Sequence, residues 1–151
     1  MADAPEAQTT HGTAIAAGGR AALIVGPSGS GKSDLALRCL ALAPSPLIPV
    51  PASLVTDDRV IIELKGGRLQ VSAPATIRGR LEVRGLGILD VPGVEGADLV
   101  LVVDLGEVGP IERLPDPVPR RDILGVSLPV LRLSPFEASA PVKLLLALAR
   151  A

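Results

Sequence analysis

One eight-residue stretch constrains the fold of this chain more than any other feature. Residues 26–33 read GPSGSGKS, which fills every fixed position of the pattern G-x-x-x-x-G-K-[ST]. The stretch follows an apolar run at 21–25 and precedes a helical pattern at 33–42. A strand, a glycine-rich loop and a helix in that order predict an α/β domain in which a P-loop joins the strand to the start of the helix.

A P-loop of this kind predicts a nucleotide site. Its glycines let successive backbone N–H groups point inward, and the following helix presents its unpaired N–H groups and positive dipole end to the same anion. Lys32 is predicted to neutralise the β- and γ-phosphates of ATP, and the hydroxyl of Ser33 is predicted to bind Mg²⁺. The predicted nucleotide-binding residues are Gly26, Pro27, Ser28, Gly29, Ser30, Gly31, Lys32 and Ser33.

Composition narrows the function classes. The length of 151 residues predicts one domain, and 15 basic against 16 acidic residues leave no basic stripe for nucleic acid. Cys39 and His11 are the only residues of their types, which excludes an ordinary zinc site. The uncharged run 39–56 contains four prolines, which exclude a membrane helix and indicate a connection. Because the first 20 residues lack a secretion signal, a cytoplasmic protein without a membrane partner is expected.

Aromatic residues are nearly absent. Phe136 is the only one, so the core is expected to consist of Leu, Val, Ile and Ala. No Trp or Tyr is present to stack on a base. The adenine of a bound nucleotide is therefore expected to be held by aliphatic side chains and backbone.

Hydrophobic patterning predicts a mixed β-sheet flanked by helices. Strands are predicted at 13–17, 21–25, 53–56, 60–64, 68–72, 99–104 and 126–133, and helices at 33–42 and 141–151. Paired glycines at 18–19 and 66–67 each predict a hairpin, so antiparallel pairs are expected beside the P-loop strand. Residues 1–10 are predicted to be flexible, 11–151 to form a single domain, and 107–122 to form a loop.

A phosphoryl-transfer site also needs an acid, and the sequence offers two locations. Asp104 ends a fully apolar strand, which is the pattern expected of the acid beside a P-loop metal. Asp57 and Asp58 end a shorter strand, where adjacent side chains point to opposite faces. One of that pair would bind metal or water, and the other would take a proton from an attacking hydroxyl. By pattern alone Asp104 is the better candidate for the acid beside the metal, but both locations stay open.

Four blocks of sequence together resemble the catalytic domain of HPr kinase/phosphorylase. They are His11-Gly12, the P-loop followed by Asp34, LVTDDRV at 54–60, and LEVRGLGILDV at 81–91. The last block is the most specific, because it is close to the family signature E-[IV]-R-G-L-G-I-[IL]-D-V, which P-loop proteins in general lack. The resemblance runs from His11 to the C-terminal helix and covers the catalytic domain alone, as in the short form of the family.

The resemblance implies an ATP-dependent kinase that phosphorylates a seryl hydroxyl of the phosphocarrier protein HPr of the phosphotransferase system. The implied catalytic groups are Asp58 as the general base, Lys32, His11 and Arg113, and the implied Mg²⁺ ligands are Ser33, Asp57 and Glu82. Arg84 and the turn at 85–87 would shape the surface where HPr docks. A core similar to phosphoenolpyruvate carboxykinase is also implied, together with a homo-oligomer, which in longer members is a hexamer. The Leu-rich C-terminal helix looks exposed and favours self-association as well.

The chain departs from the family before its last helix. Members carry P-V-x-x-G-R-N there, a segment tied to phosphorolysis, whereas residues 133–140 read LSPFEASA. Without that cation, kinase activity with weak or no phosphorolysis is expected. Two other functions stay open: a small-molecule P-loop kinase, for which Arg113, Arg120 and Arg121 are the only lid-like arginines, and a non-catalytic nucleotide-binding regulator.

Overall fold

The P-loop connects the third strand of the structure to its first helix. The computed structural model describes residues 6–106 and 109–151. In chain order the elements are β1 (Ala7–His11), β2 (Thr13–Ala17), β3 (Arg20–Val25), α1 (Lys32–Ala41), β4 (Ser53–Thr56), β5 (Arg59–Lys65), β6 (Arg68–Ser72), a 3₁₀ turn (Ala75–Ile77), β7 (Arg80–Val83), β8 (Gly87–Asp90), β9 (Gly96–Asp104), β10 (Arg120–Ile123), β11 (Val126–Arg132) and α2 (Ala140–Arg150).

Strand β9 is the centre of the main sheet. One of its edges pairs with β3 in parallel, and its other edge is shared by β6, antiparallel at 96–98, and β11, parallel at 102–104. The order across the sheet is β1-β5-β6-β9-β3-β2-β4, with β10 attached to β11, and β7 and β8 form a separate hairpin. Parallel and antiparallel pairs therefore occur side by side, which confirms the predicted mixed α/β sheet.

Two bends curl this sheet and bring its end strands together. Strand β1 passes into β2 through Gly12, and β4 passes into β5 through Asp57 and Asp58, so that β1 pairs with β5 and β2 pairs with β4. The N–H of Gly12 donates to the carbonyl oxygen of Asp58 at 3.0 Å, where the bends meet. A Cβ on Gly12 would lie 2.9 Å from the carbonyl oxygen of Ile24, so a larger residue would force the strands apart.

Alternate side chains along the strands enter two cores. On β2, Ile15 belongs to the core that includes the buried side chains of both helices. Ala14 and Ala16 point to the other face of the sheet and belong to a second core formed by strand side chains such as Val60. The first core includes Leu35 of α1 and Leu144 of α2. Through it α1 lies against β2, β4 and β7, which fixes the position of the first turn of the helix.

Most predicted elements are confirmed, and four features differ. The first is the hairpin of β7 and β8, where no strands were predicted. Residues 7–10 belong to β1 and pair with β5, so the predicted flexible N-terminus is shortened; residues 1–5 lie outside the described ranges. Strand β10 occurs within the predicted loop because its charged residues pair with β11. The helix that looked exposed buries its leucines Leu144, Leu145 and Leu148. In the described part of the chain, neither helix has the length and apolarity to cross a membrane.

Candidate active site

The P-loop wraps around the first turn of α1. Gly31 precedes the helix with φ at +99°, in the left-handed region that favours glycine. The ammonium group of Lys32 donates to the carbonyl oxygens of Gly26 at 2.8 Å and Pro27 at 3.0 Å, so the lysine side chain holds the start of the loop. The loop is thereby organised as a cradle of backbone N–H groups at a helix N-terminus, which is an anion-binding arrangement.

Lys32 is a cation in a shielded position. Only 7 % of the residue is exposed, and this burial lowers the pKa of its ammonium group below the ordinary 10.5. The carboxylates of Asp58 and Asp57 act on the pKa in the opposite direction. The lysine therefore faces two acids, and a phosphate chain brought to the loop would lie between these charges.

Asp57 connects the P-loop to two other elements. Its Oδ1 accepts hydrogen bonds from the hydroxyls of Ser33 at 2.7 Å and Thr13 at 2.9 Å, and its Oδ2 accepts one from the backbone N–H of Glu82 at 3.1 Å. The residue is 6 % exposed. Three donors thus hold a buried carboxylate beside the hydroxyl that was predicted to bind Mg²⁺.

Asp58 differs from its neighbour in backbone conformation and exposure. Its φ of +69° lies in the left-handed region, so the chain bends here between β4 and β5. The side chain is 73 % exposed, and its Oδ1 lies 3.3 Å from Nδ1 of His11. Both carboxylates line the cavity over the P-loop, although adjacent strand residues were expected to point to opposite faces, and His11, predicted from a two-residue match, lies beside Asp58.

Glu82 lies on the strand that packs against α1. It shares the exposed face of β7 with Arg80, as alternate residues of a strand do, and it lines the same cavity as Asp57. Within residues 6–106 and 109–151 the Glu82 carboxylate forms no ion pair with Arg80 or Arg84. Its oxygens are therefore available to a ligand in the cavity.

The oxygen donors of the cavity suit an Mg²⁺ ion that is also bound by phosphate and water. They do not form a metal site made of protein ligands alone. The hydroxyl of Ser33 and the carboxylates of Asp57 and Glu82 are hard ligands of the type that Mg²⁺ prefers. Among the described residues, no cluster of three or more His, Cys, Asp or Glu side chains is arranged to hold a metal ion. Mg²⁺ is commonly bound by one or two carboxylates together with water and substrate phosphates, so this sparse donor set suits it.

The remaining predicted residues lie elsewhere. Asp104 ends β9 beside Val25, but its Oδ1 accepts from the N–H of Gly106 at 2.8 Å and its Oδ2 lies 3.6 Å from Arg121. Arg113 is exposed and is not among the residues that line the cavity. Its catalytic role stays a prediction that rests on the resemblance.

The cavity over the P-loop has a volume of about 550 Å³. It brings together the P-loop, His11, Asp57, Asp58 and Glu82, which are distant in sequence. The sequence analysis missed Thr13, whose fully buried hydroxyl donates to Asp57. A threonine in a strand of small residues gives no indication of its hydrogen-bond partner. It also missed that Phe136 lines this cavity.

These features define the protein as a P-loop domain of the mixed α/β class, with two unlike carboxylates at the phosphate cradle. Residues 3–149 match the family model described as the HPr Serine kinase C-terminal domain. The chain belongs to this family.

Relatives and a solved structure agree with this assignment. The chain is 42 % identical over 111 residues to an HPr kinase/phosphorylase of Clostridium tetani, covering 74 % of this chain and 33 % of the relative. It is 34 % identical over 149 residues to one of Lactiplantibacillus plantarum, covering 91 % and 42 %. The chain thus spans less than half the length of these relatives. A structure titled Hpr(Ser) kinase/phosphatase from Coxiella burnetii superposes with a TM-score of 0.74 at 25 % identity, covering 95 % of this chain and 94 % of that one.

Proposed function

We propose that this protein is an ATP-dependent serine kinase whose acceptor is the phosphocarrier protein HPr. One observation carries the proposal: the P-loop hydroxyl of Ser33 is bonded to a buried Asp57, while the next residue, Asp58, extends into the same cavity beside His11. A phosphate cradle with one fixed and one free carboxylate is what phosphoryl transfer to a hydroxyl needs. The family and the printed names of the relatives supply the acceptor.

The free carboxylate is the group that moves a proton. Asp58 is exposed to the cavity, so an acceptor hydroxyl brought to the γ-phosphate can donate its proton to Asp58 as the oxygen attacks phosphorus. The bond from the γ-phosphorus to the β–γ bridging oxygen breaks, and ADP leaves. His11 lies within 3.3 Å of that carboxylate and orients it. Asp58 suits this role better than Asp57, whose two oxygens already accept three hydrogen bonds.

The fixed groups position the phosphate chain. Lys32 and the N–H groups of the P-loop bind the β- and γ-phosphates, and the buried position of Lys32 strengthens its attraction for them. Ser33, Asp57 and Glu82 would hold the Mg²⁺ that accompanies ATP. Mg²⁺ held there would supply positive charge that offsets the negative charge developing on the phosphate oxygens.

The β7–β8 hairpin supports an acceptor-docking surface beside the cavity. Arg84 lines the cavity, and the adjoining turn exposes Leu86 and Ile88 by 74 % and 70 %. Gly85 has a φ of +87°, so a substitution there would strain the backbone even though the space around it is open. A change in HPr binding could then come from that strain and not from a lost contact. Leu86→Ser and Ile88→Ser are better probes: we expect a raised KM for HPr with ATP affinity unchanged. Equal KM values in these variants and in Leu47→Ser, an exposed leucine away from the cavity, would rule the hairpin out.

The segment before α2 supports a kinase with weak or no phosphorolysis. Residues 134–139 contain no basic residue, and their acid, Glu137, is paired with Lys143 at 2.6 Å. The nearby Arg38 is occupied by Asp34 at 3.0 Å and by the carbonyl of Pro135. No cation is therefore left in this segment for inorganic phosphate or phosphoserine, and pyrophosphate release from phosphorylated HPr at a rate near that of the kinase reaction would contradict this part of the proposal.

Two further proposals follow the family. We propose a homo-oligomer in the cytoplasm, although the buried leucines of α2 no longer argue for it; light scattering measures the state. A small-molecule kinase is less well supported. Such a kinase needs arginines on a mobile lid, but Arg120 is hydrogen-bonded to Ser127 and Arg121 lies beside Asp104. Turnover stimulated by a sugar and not by HPr would favour it.

The defining experiment weighs HPr before and after incubation. The protein is mixed with ATP, Mg²⁺ and HPr from the same cell, and intact mass spectrometry detects the gain of one phosphate, which fragmentation maps to a serine. Asp58→Asn is the matched control, because it keeps the side-chain shape and removes the base. No gain with wild-type protein that still binds ATP would favour a non-catalytic nucleotide-binding regulator instead.

A further inference from the structure

Phe136 is held at the rim of the P-loop cavity with most of its surface open. The residue is 73 % exposed. Its Cε1 and Cζ atoms lie 3.2 Å from the point where a Cβ of Gly31 would be, so the ring lies against the P-loop, and only glycine leaves room for it there. An aromatic ring that lines a cavity and is not buried in the core is a candidate contact for a bound ligand.

The backbone on both sides of Phe136 is fastened to α1. The guanidinium of Arg38 donates to the carbonyl oxygens of Pro135 and, at 3.3 Å, of Glu137. Asp34, which also lines the cavity, holds Arg38 from the other side with a 3.0 Å contact to Nε. Because these bonds flank Phe136 directly, they fix the backbone from which its ring projects.

The order of groups along a nucleotide indicates which part of it reaches this ring. Asp58 and His11 mark the place where the γ-phosphate meets the attacking hydroxyl, and Lys32 marks the β- and γ-phosphates. The base is joined to the opposite end of the phosphate chain. Phe136 contacts Gly31, whereas Asp58 contacts His11, so the ring is placed with the P-loop and not with the acid that serves the acceptor.

We propose that Phe136 is the surface on which the purine base of the nucleotide stacks, and that Arg38 is the positioning residue that holds it there. The proposal rests on the proposed use of ATP and adds a contact for its base. It adds an aromatic contact to the aliphatic side chains and backbone that were expected to hold the adenine. Leu37, one turn along α1 from Ser33, lines the same cavity and extends the apolar surface next to the ring.

The test separates the base from the phosphates. Calorimetry in Mg²⁺ measures the affinities of ATP and of inorganic tripolyphosphate, which has the phosphates without the base. We expect Phe136→Ala to weaken ATP binding on the order of 10-fold and to leave tripolyphosphate binding unchanged. Phe136→Tyr restores ATP binding, Phe136→Leu does not, and Leu47→Ala, which removes an exposed side chain outside the cavity, changes neither ligand.

Arg38 is tested through its coupling to Phe136. Arg38→Ala is expected to reproduce the selective loss of ATP affinity, and the double variant with Phe136→Ala is expected to lose no more than either single variant, because both act on one contact. A fully additive double variant would remove Arg38 from the proposal. Thermal unfolding of each variant verifies that the comparison concerns folded protein.

Three results would overturn the stacking proposal. Equal weakening of ATP and tripolyphosphate would make Phe136 a support of the P-loop. Unchanged ATP affinity in Phe136→Ala would remove the contact with the base, and if the KM for HPr rose at the same time, the ring would belong to acceptor docking. Failure of the wild-type protein to bind ATP is a separate outcome, since it contradicts the proposed function before any variant is compared.

Discussion

The strands β4 and β9 both end in acids close to the P-loop, yet the two ends differ in what their carboxylates contact. Asp57, after β4, is bonded to the P-loop hydroxyl of Ser33. Asp104, at the end of β9, is bonded to the N–H of Gly106 and paired with Arg121. The longer apolar strand, which the sequence pattern favoured, carries the acid that lies outside the cavity.

The position of α1 explains the difference. The helix packs against β2, β4 and β7, so the side chains of its first turn face the end of β4. Strand β9 makes its main helix contact with α2, although it pairs with the strand that leads into the P-loop. Adjacency to the P-loop strand in the sheet is therefore a poorer guide to the site than adjacency to the helix that follows it.

The largest expected effect is the loss of phosphoryl-transfer rate on mutation of Asp58, the acid that neither Asp57 nor Asp104 replaces as the base. We expect Asp58→Asn to lower the rate of phosphoryl transfer by about 10²- to 10⁴-fold, which is the contribution typical of a general base, while ATP affinity is retained. The measurement is the single-turnover rate of phosphate transfer to HPr. Asp104→Asn is expected to transfer phosphate at close to the wild-type rate, and a comparable loss in that variant would contradict the assignment.

The next effect concerns stability at Asp57. Asp57→Ala removes the acceptor for Thr13, Ser33 and the N–H of Glu82, and leaves the fully buried Thr13 hydroxyl without its partner. We expect the free energy of unfolding to fall by roughly 1–3 kcal/mol. Urea unfolding measures it; a change below about 0.5 kcal/mol would mean that these donors find other partners.

A smaller effect is expected in the pH dependence of ATP binding. ATP affinity should fall as the pH rises through the pKa of Lys32, because its ammonium loses the proton that gives it charge. Burial lowers that pKa below 10.5 and the Asp58 carboxylate raises it, so Asp58→Asn should move the fall to lower pH. Titrating ATP affinity between about pH 7 and 10 measures the shift. An identical shift in Asp104→Asn would show that it does not come from the cavity.

The smallest effect is expected at Asp104 itself. Asn at this position can still accept from the N–H of Gly106 and loses only the 3.6 Å pair with the half-exposed Arg121. We expect the free energy of unfolding to change by less than about 1 kcal/mol, as for other surface pairs. Urea unfolding alongside Asp57→Ala gives the direct comparison, and a larger loss for Asp104→Asn would reverse the ranking of the two strand ends.

The parts of the fold that could be predicted are those determined by residues close together in the sequence. The P-loop, both helices, the glycine hairpins and the mixed sheet follow from motif and periodicity, because each depends on residues a few positions apart. The curl of the sheet does not, because it depends on Gly12 meeting Asp58 across 46 residues of chain. Strand β10 was missed for a related reason, since its residues RRDI pair with β11 without an apolar pattern.

The candidate site shows the same division. The residues of the P-loop were predicted from their own pattern, and Asp58, His11 and Glu82 from resemblance to a family. The contacts of Asp57 with Thr13 and Glu82 cross 44 and 25 residues and left no trace in the sequence. No location was predicted for Phe136, and its place at the cavity depends on hydrogen bonds from Arg38 that span almost 100 residues of chain.

The most direct test of this account asks which strand end supports the metal-bound nucleotide. Calorimetry gives ATP affinity with and without Mg²⁺ for the wild type, Asp57→Asn and Asp104→Asn. We expect Mg²⁺ to strengthen ATP binding in the wild type and in Asp104→Asn, and we expect this gain to be lost in Asp57→Asn. A gain that persists in Asp57→Asn and disappears in Asp104→Asn would contradict it.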